Sequence, residues 1–359
     1  MECKSINSHV SVFSNIGTIK PCCSISIDDS FDLWKQSNIF AIDNLNTSLN
    51  LDVRKLYKTE LKTGWVDDCS YCENLEKQNL VSARQETNEY LDGKHLEDLQ
   101  LALDFNCNMT CRICRPGVSS KWDTLDSIIT KLQTSDKHHY NNVGNHKAYS
   151  KRMKYVLENT NFDYLKRLRI VGGEPFYSPN IYWFLSLLND KTDLKNISFT
   201  CNTNGSVIPN KKIIKLLQKF KNVKIDISID ATNNLAESIR PGVEWNTINE
   251  NLRTWSSMFD IMISPTVSIL NVNILQSLID LQYDYHFMPL STPKYLRYTQ
   301  IPLSIREKWL TTDDTVNQLI LMPYEKQNHK IFLHAMSLMD KHMPQFKESN
   351  TEIWSTMMA

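Results

Sequence analysis

Strand-like and helix-like patterns alternate along residues 96–298, and this alternation constrains the fold more than any other feature of the sequence. The first strand pattern, within residues 99–105, places an apolar side chain at every second position. The polar residues 133–150 are predicted to form a loop. The other predicted strands cover residues 165–171, 197–201, 223–229, 261–267 and a segment near 295–298, and the predicted helices cover residues 122–132, 181–189, 211–220, 245–255 and 275–281.

Six β units with intervening helices predict an α/β protein, because parallel strands need helical crossovers and these crossovers are right-handed. We expect a partial (β/α)6 barrel over residues 96–302, with its reactive groups on the loops that follow the strands. Residues 1–95 are predicted to form a small cysteine-rich module, since little apolar core is evident there and such units usually need a metal. Residues 303–359 are predicted to be a helical extension.

Composition excludes some classes of protein. Among 359 residues, Lys plus Arg and Asp plus Glu both number 40, so no bulk charge points to nucleic acid or to an anionic membrane. No stretch reaches the ~20 apolar residues of a membrane span, and the N-terminal residues lack the pattern of a secretory signal. We therefore expect a cytoplasmic location, where clustered cysteines hold metal more often than they form disulfides.

The cysteines are distributed unevenly, since eight of the nine lie within the first 120 residues. Cys107, Cys111 and Cys114 form a Cys-x3-Cys-x2-Cys run directly after the first predicted strand. Three thiolates on one loop can bind a four-iron cluster and leave one iron without a protein ligand. A zinc site is the alternative, but zinc needs a fourth ligand and the loop contains no His.

This cysteine run resembles the signature of the radical S-adenosylmethionine (SAM) superfamily, and Ile113 fits the apolar position before the last cysteine. A Gly-Gly-Glu-Pro motif ends the second predicted strand, and it too resembles the superfamily. The resemblance covers about residues 97–300. It implies a 4Fe–4S cluster on Cys107, Cys111 and Cys114, which are then the catalytic residues, and S-adenosylmethionine bound at the open iron. The other cofactor-binding residues that it implies are Gly172, Gly173, Glu174, Pro175, Thr203, Asn204, Ser228 and Arg240.

The early cysteines resemble the auxiliary-cluster modules called SPASM and twitch. Cys3, Gly17 and Cys22 fit the Cys-x9–15-Gly-x4-Cys pattern, and a later Cys-x2-Cys completes four ligands. The resemblance implies a second 4Fe–4S cluster, although these modules usually follow the barrel and this one precedes it. Three alternatives stay open: Cys23 in place of Cys22, a zinc knuckle, and a free thiol at Cys3. The implied ligand set is Cys3, Cys22, Cys69 and Cys72.

The resemblance implies an enzyme that forms a 5′-deoxyadenosyl radical and abstracts hydrogen from a substrate. A peptide or protein is the leading substrate class, since relatives with auxiliary clusters often act on peptides. A small molecule such as a nucleotide, a sugar or a cofactor precursor is the alternative. A non-catalytic binding protein stabilised by zinc is a third hypothesis. The expected electron donor is a flavodoxin or ferredoxin.

Overall fold

The computed structural model describes residues 2–12, 17–22, 37–133, 146–242, 244–325 and 329–358. Cys23 and residues 134–145 of the predicted loop lie outside these ranges. None of the helices within the described ranges combines the length and the apolar character needed to cross a membrane.

The secondary structure is mixed, as the alternating patterns predict. In chain order, the strands are β1 (His9–Val12), β2 (Ile19–Lys20), β3 (Asp98–Ala102), β4 (Arg167–Val171), β5 (Ser198–Thr203), β6 (Asn222–Ile227), β7 (Asp260–Ile263), β8 (Thr266–Val267) and β9 (Met288–Pro289). The α-helices are α1 (Ser5–Ser8), α2 (Asp52–Glu60), α3 (Ser70–Lys77), α4 (Ala83–Tyr90), α5 (Asp126–Leu132), α6 (His146–Glu158), α7 (Ile181–Lys191), α8 (Lys211–Leu217), α9 (Asn233–Ile239), α10 (Trp245–Ser256), α11 (Leu275–Ile279), α12 (Leu303–Arg306), α13 (Asp314–Ile320), α14 (His329–Met339), α15 (Phe346–Ser349) and α16 (Thr351–Met358).

The chain forms two compact units. The first comprises Met1–Phe105, Gly144–Cys201 and Pro209–Val223, and the second comprises Asn106–Val143, Asn202–Ile208 and Lys224–Ala359. Each unit is described separately below.

The first unit contains a sheet with the strand order β2-β1-β3-β4-β5. β1 and β2 are antiparallel, whereas β1, β3, β4 and β5 run parallel to one another. Leu168 and Ile170 of β4 are buried at alternate positions, as a pleated strand requires. A smaller apolar cluster of Ile6, Val53, Tyr57 and Leu61 lies at the N-terminal end of the chain. Residues 1–95 therefore contain more apolar core than their sequence indicates.

The second unit contains two parallel strand pairs, β6 with β7 and β8 with β9. Helix α10 buries Trp245, Ile248, Leu252 and Trp255, whose spacing forms one helical face. In the C-terminal part, α14 packs against α5 and α16, and α15 packs against α9. The described part of residues 303–359 contains the five α-helices α12 to α16.

Two predicted elements are wrong. The strand near residues 295–298 is replaced by the 3-10 helices Lys294–Leu296 and Tyr298–Gln300, because a short apolar run fits a tight helical turn as well as a strand. Residues 146–150 of the predicted loop belong to α6. This helix buries Tyr149, Met153, Val156 and Leu157, whose spacing forms one helical face after a polar first turn. The parallel sheet is confirmed, and the partial barrel stays a prediction.

Candidate functional site

The three cysteines of the Cys-x3-Cys-x2-Cys run lie on a loop of the second unit that we call the cluster loop, residues 106–114. Cys107 and Cys111 are buried and Cys114 is partly buried. Burial raises the pKa of Cys111 well above its usual value, and the neighbouring Cys114 and Cys107 raise it further. Burial and Cys107 likewise raise the pKa of Cys114 to about 11. All three thiols are thus at least partly shielded from solvent on one short loop.

Backbone hydrogen bonds connect the cluster loop to the last residue of α9 and to the segment that follows it. The amide of Thr110 donates to the Pro241 carbonyl at 2.9 Å, and the amide of Arg112 donates to the Ile239 carbonyl at 2.8 Å. Gly242 has a φ of +133°, and a Cβ at this position would lie 2.6 Å from the Asn108 carbonyl oxygen. Only glycine fits this close approach without strain.

Arg240 brings a positive charge to the cluster loop. Its Nη1 lies 3.8 Å from Cys111 Sγ, and its Nε donates to Asp230 Oδ2 at 2.7 Å. Asp230 is buried, and its other oxygen accepts the Thr266 amide at 2.8 Å. Burial alone would lower the pKa of Arg240, but Asp230 and Cys111 outweigh it and raise that pKa. The guanidinium thus stays charged beside a thiol that a metal would bind as thiolate.

Polar side chains after β5 also contact the cluster loop. Asn204 Nδ2 donates to Asn108 Oδ1 at 3.0 Å, and Asn108 Nδ2 donates to Ser206 Oγ at 2.9 Å. The Thr203 hydroxyl accepts the Gly205 amide at 3.1 Å, while the Thr203 carbonyl accepts the Ser228 amide at 2.8 Å. Of the predicted site residues in the second unit, Asn204 and Arg240 contact the cluster loop directly. Thr203 and Ser228 are hydrogen-bonded to each other next to Asn204.

Hydrogen bonds also orient the cluster loop from within. The Met109 amide donates to Cys107 Sγ at 3.5 Å, and the Cys114 amide donates to the Cys111 carbonyl at 2.9 Å. The buried Trp122 donates its indole N–H to the same carbonyl at 3.0 Å. An N–H that points at a ligating sulfur is one means by which a protein adjusts the potential of an iron–sulfur cluster.

The Gly-Gly-Glu-Pro motif lies in the first unit, directly after β4. Gly172 has a φ of +90°, and a Cβ there would lie 2.4 Å from Ala102 Cβ. Glu174 is buried, and its carboxylate accepts the Phe176 amide at 3.1 Å at the start of a 3-10 helix in which Pro175 is the first residue. The motif thus forms a strand-to-helix turn with a buried carboxylate.

The N-terminal cysteines line one pocket of the first unit, although they come from three separate stretches of sequence. This thiol pocket is lined by Cys3, Cys22, Cys69 and Cys72. Burial raises the pKa of Cys3 above its usual value and that of Cys69 to about 12. Tertiary structure therefore brings together the four thiols implied by the resemblance.

Two arginines, Arg84 and Arg54, lie near this pocket and were not predicted from the sequence as charged groups of the site. Arg84 lines the thiol pocket, packs over the Trp65 ring at 5.6 Å, and donates to both carboxylate oxygens of Glu76. Arg54 is fully buried and donates to the Ser48 and Ile6 carbonyls, but its Nη2 has no partner among the described residues. Its ordinarily high pKa is lowered to about 9 by burial, and Cys22 opposes that shift.

These donor sets suit iron–sulfur clusters. Within the described part of the chain, no three His, Cys, Asp or Glu side chains group tightly enough to hold a single metal ion. A four-iron cluster makes a different demand, because each thiolate binds its own iron and the thiols spread around a cube. Three thiols beside a guanidinium and four thiols around a pocket both fit that demand.

The sequence profile of the Radical SAM superfamily matches residues 105–274. These residues are thus similar to the Radical SAM superfamily domain, and the match supports an enzyme whose reaction it leaves open. The whole Cys107–Cys114 run lies inside the matched region.

Two curated relatives, both named GTP 3′,8-cyclase, match 141 residues. The protein from Aliarcobacter butzleri (strain RM4018) is 22% identical over 39% of this chain and 36% of its own length. The protein from Petrotoga mobilis (strain DSM 10674 / SJ95) is 25% identical over the same shares. The chain thus spans about a third of the length of these relatives.

Solved structures give weaker likenesses. One is native anSMEcpe with bound AdoMet and Cp18Cys peptide, with a TM-score of 0.36, 15% identity, and coverage of 68% of this chain and 58% of that chain. Another is Streptococcus suis SuiB bound to S-adenosylmethionine, with a TM-score of 0.37, 14% identity, and coverage of 94% of this chain and 76% of that chain. Because these TM-scores are low, we draw nothing further from either structure.

Proposed function

We propose that the chain is a radical S-adenosylmethionine enzyme whose 4Fe–4S cluster is bound by Cys107, Cys111 and Cys114. The observation that carries this proposal is the short loop that presents three cysteines within the matched residues, with the Arg240 guanidinium 3.8 Å from Cys111 Sγ. When bound, the cluster would supply the electron that splits S-adenosylmethionine into methionine and a 5′-deoxyadenosyl radical, which takes a hydrogen atom from the substrate.

The protein's own residues would bind and orient the cofactor. Arg240, held by Asp230, can bind the methionine carboxylate through its guanidinium. Thr203, Asn204 and Ser228 follow neighbouring strands and are proposed to line the nucleoside side of the cofactor. From the motif resemblance alone, we propose the Glu174 carboxylate and the backbone of Gly172, Gly173 and Pro175 for the methionine ammonium, and the Ile113 side chain for apolar contact.

We propose that the thiol pocket binds a second, auxiliary 4Fe–4S cluster. Four thiols line the pocket, and Arg54, which has no carboxylate partner among the described residues, provides positive charge near a cluster that four thiolates would make anionic. Four protein ligands would leave no open iron, so this cluster would transfer electrons. A twitch- or SPASM-like module over residues 1–95, a partial barrel over residues 96–302 and a helical extension over residues 303–359 remain the proposed organisation.

Anaerobic reconstitution tests the central proposal. Protein supplied with iron and sulfide should bind about four irons at the cluster loop and about four at the thiol pocket. After reduction with dithionite and addition of S-adenosylmethionine, 5′-deoxyadenosine should accumulate and be measured by chromatography. A colourless protein with bound zinc, or a reduced brown protein that forms no 5′-deoxyadenosine, would contradict it.

The proposed substrate is a peptide or protein, and the thiol pocket supports it because auxiliary-cluster relatives often act on peptides. A second candidate is a small molecule, favoured by the match to relatives named GTP 3′,8-cyclase. GTP and any short peptide encoded beside this chain can be added separately to the reduced enzyme. The true substrate should increase 5′-deoxyadenosine formation and change its own mass, whereas the other should leave the basal rate unaltered.

We further propose a cytoplasmic location and a flavodoxin or ferredoxin as the electron donor. A donor of this kind should replace dithionite in the same assay. Failure of every flavodoxin and ferredoxin tried with an otherwise active enzyme would count against this choice of donor.

A further inference from the structure

Arg112 lies within the cluster loop, and its side chain is completely buried. Its Nε donates to the Ser238 carbonyl at 2.8 Å, and its Nη2 donates to Asp340 Oδ1 at 2.6 Å. Because Arg112 directly follows Cys111, any displacement of its backbone moves a proposed cluster ligand. The side chain therefore connects the loop to two other parts of the second unit.

The C-terminal segment supplies most of the surroundings of this guanidinium. Nη2 also donates to the Pro344 carbonyl, Nη1 lies 3.8 Å from Met336 Sδ, and the group stands over the Phe346 ring at 5.9 Å. Asp340 Oδ1 additionally accepts the Phe346 amide at 3.2 Å. Asp340 thus ties the turn after α14 to the first residue of α15 and to Arg112.

A buried guanidinium is costly unless charge and hydrogen bonds satisfy it, and removing one partner is more costly than replacing the whole pair. Here the backbone of the same residue is also fixed, because the Arg112 amide donates to the Ile239 carbonyl. Holding one residue by both its amide and its fork-shaped side chain leaves little freedom for the turn between Cys111 and Cys114. A lysine could not make these divergent contacts.

We propose that Arg112 and Asp340 are positioning residues through which the C-terminal segment holds the thiols of the cluster loop in the geometry of the cluster. This inference rests on the proposed function and gives residues 329–358 a role in it. Outer partners of metal ligands commonly change metal affinity by about 10- to 100-fold. We therefore expect the pair to control how firmly the loop retains iron.

The test compares reconstituted full-length wild type with Arg112→Lys and Asp340→Asn. Arg306→Lys is the matched control, because Arg306 is also fully buried and donates to the Ile301 and Met322 carbonyls. The electron paramagnetic resonance signal that responds to added S-adenosylmethionine identifies the loop cluster. Its loss to an iron chelator should be about 10-fold faster in Arg112→Lys, less accelerated in Asp340→Asn, and unchanged in Arg306→Lys.

The thermal midpoint of each apo-protein separates positioning from general stability. Altered signal shape and faster iron loss in both Arg112→Lys and Asp340→Asn, at an apo-protein midpoint no lower than that of Arg306→Lys, would support the inference. If wild type gives the signal and all variants retain iron equally, the positioning role is overturned while the proposed function stands. If wild type itself gives no responsive signal, the proposed function fails, and the inference fails with it.

Discussion

The cluster loop and the thiol pocket gather cysteines in opposite ways. The loop takes three thiols from eight consecutive residues, whereas the pocket takes four from segments up to 69 positions apart, Cys3 to Cys72. Both have arginines close to their cysteines. Arg240 beside the loop is paired with Asp230, while Arg54 near Cys22 has no carboxylate partner among the described residues.

This contrast shows that the number of cysteine ligands and their spacing in the sequence have separate consequences for a cluster site. A short loop can present three thiols and leave one corner of a cluster open for a cofactor. A pocket with four thiols closes the cluster and depends on tertiary structure to bring its ligands together. The two sites should therefore respond differently when single residues are changed.

Cys111→Ala should have the largest effect, because it removes one of only three ligands at the loop. Formation of 5′-deoxyadenosine by the reduced protein should fall to background in the chromatographic assay. Cys201→Ala serves as the control, since Cys201 is a buried cysteine of β5 outside both ligand sets. If Cys111→Ala formed more 5′-deoxyadenosine than a cluster-free sample, Cys111 would not be an essential ligand, and the proposed difference between the two sites would be wrong.

Cys69→Ala should have a more selective effect, because it opens the thiol pocket and leaves the loop intact. Bound iron should fall below about eight per chain, because the second cluster would lose one of its four ligands. The resonance signal that responds to S-adenosylmethionine should persist, and substrate-free cleavage of the cofactor should continue. An unchanged content of about eight irons would show that Cys69 is not a ligand on which the second cluster depends.

Gly242→Ala should weaken the loop through its backbone. The new Cβ would approach the Asn108 carbonyl oxygen at 2.6 Å, and φ is +133°. The expected cost is about 1–3 kcal/mol in the free energy of unfolding, measured by denaturant titration of the apo-protein. Gly64→Ala is the control, because nothing lies within 4 Å of a Cβ there. Equal stabilities of the two variants would refute the close approach.

Arg54→Met should have the smallest effect, confined to the auxiliary cluster. A nearby cation favours the more negative, reduced form, so its loss should lower the midpoint potential by on the order of tens of millivolts. Redox titration followed by resonance spectroscopy measures this potential. The loop cluster in the same sample is the internal control. A potential that stays the same would mean that Arg54 does not compensate the cluster's charge.

The sequence predicted the local features well and the distant ones poorly. Cys107, Cys111 and Cys114 lie within eight residues of one loop, so their spacing alone indicated a shared site. Arg112 and Asp340 are 228 positions apart, and no local pattern could pair them. The helix that begins at His146 was missed because its first turn is polar and its buried face starts at Tyr149.

The four N-terminal cysteines are an intermediate case. Their spacing fitted a family pattern, but only the packing of α1, α2 and the segment around Cys69 brings the thiols together. The core of Ile6, Val53, Tyr57 and Leu61 that supports this packing was not recognised, because these residues are widely spaced along the chain.

Strand β1 has a practical consequence for dissecting this protein. His9–Val12, which follows the first cysteine, pairs in parallel with β3 along its whole length, and Val10 and Val12 are completely buried. Deleting the first 95 residues would remove β1 from the sheet and expose an unpaired edge of β3, which favours aggregation. The N-terminal segment should therefore not be removed by truncation or transferred to another protein as an independent module.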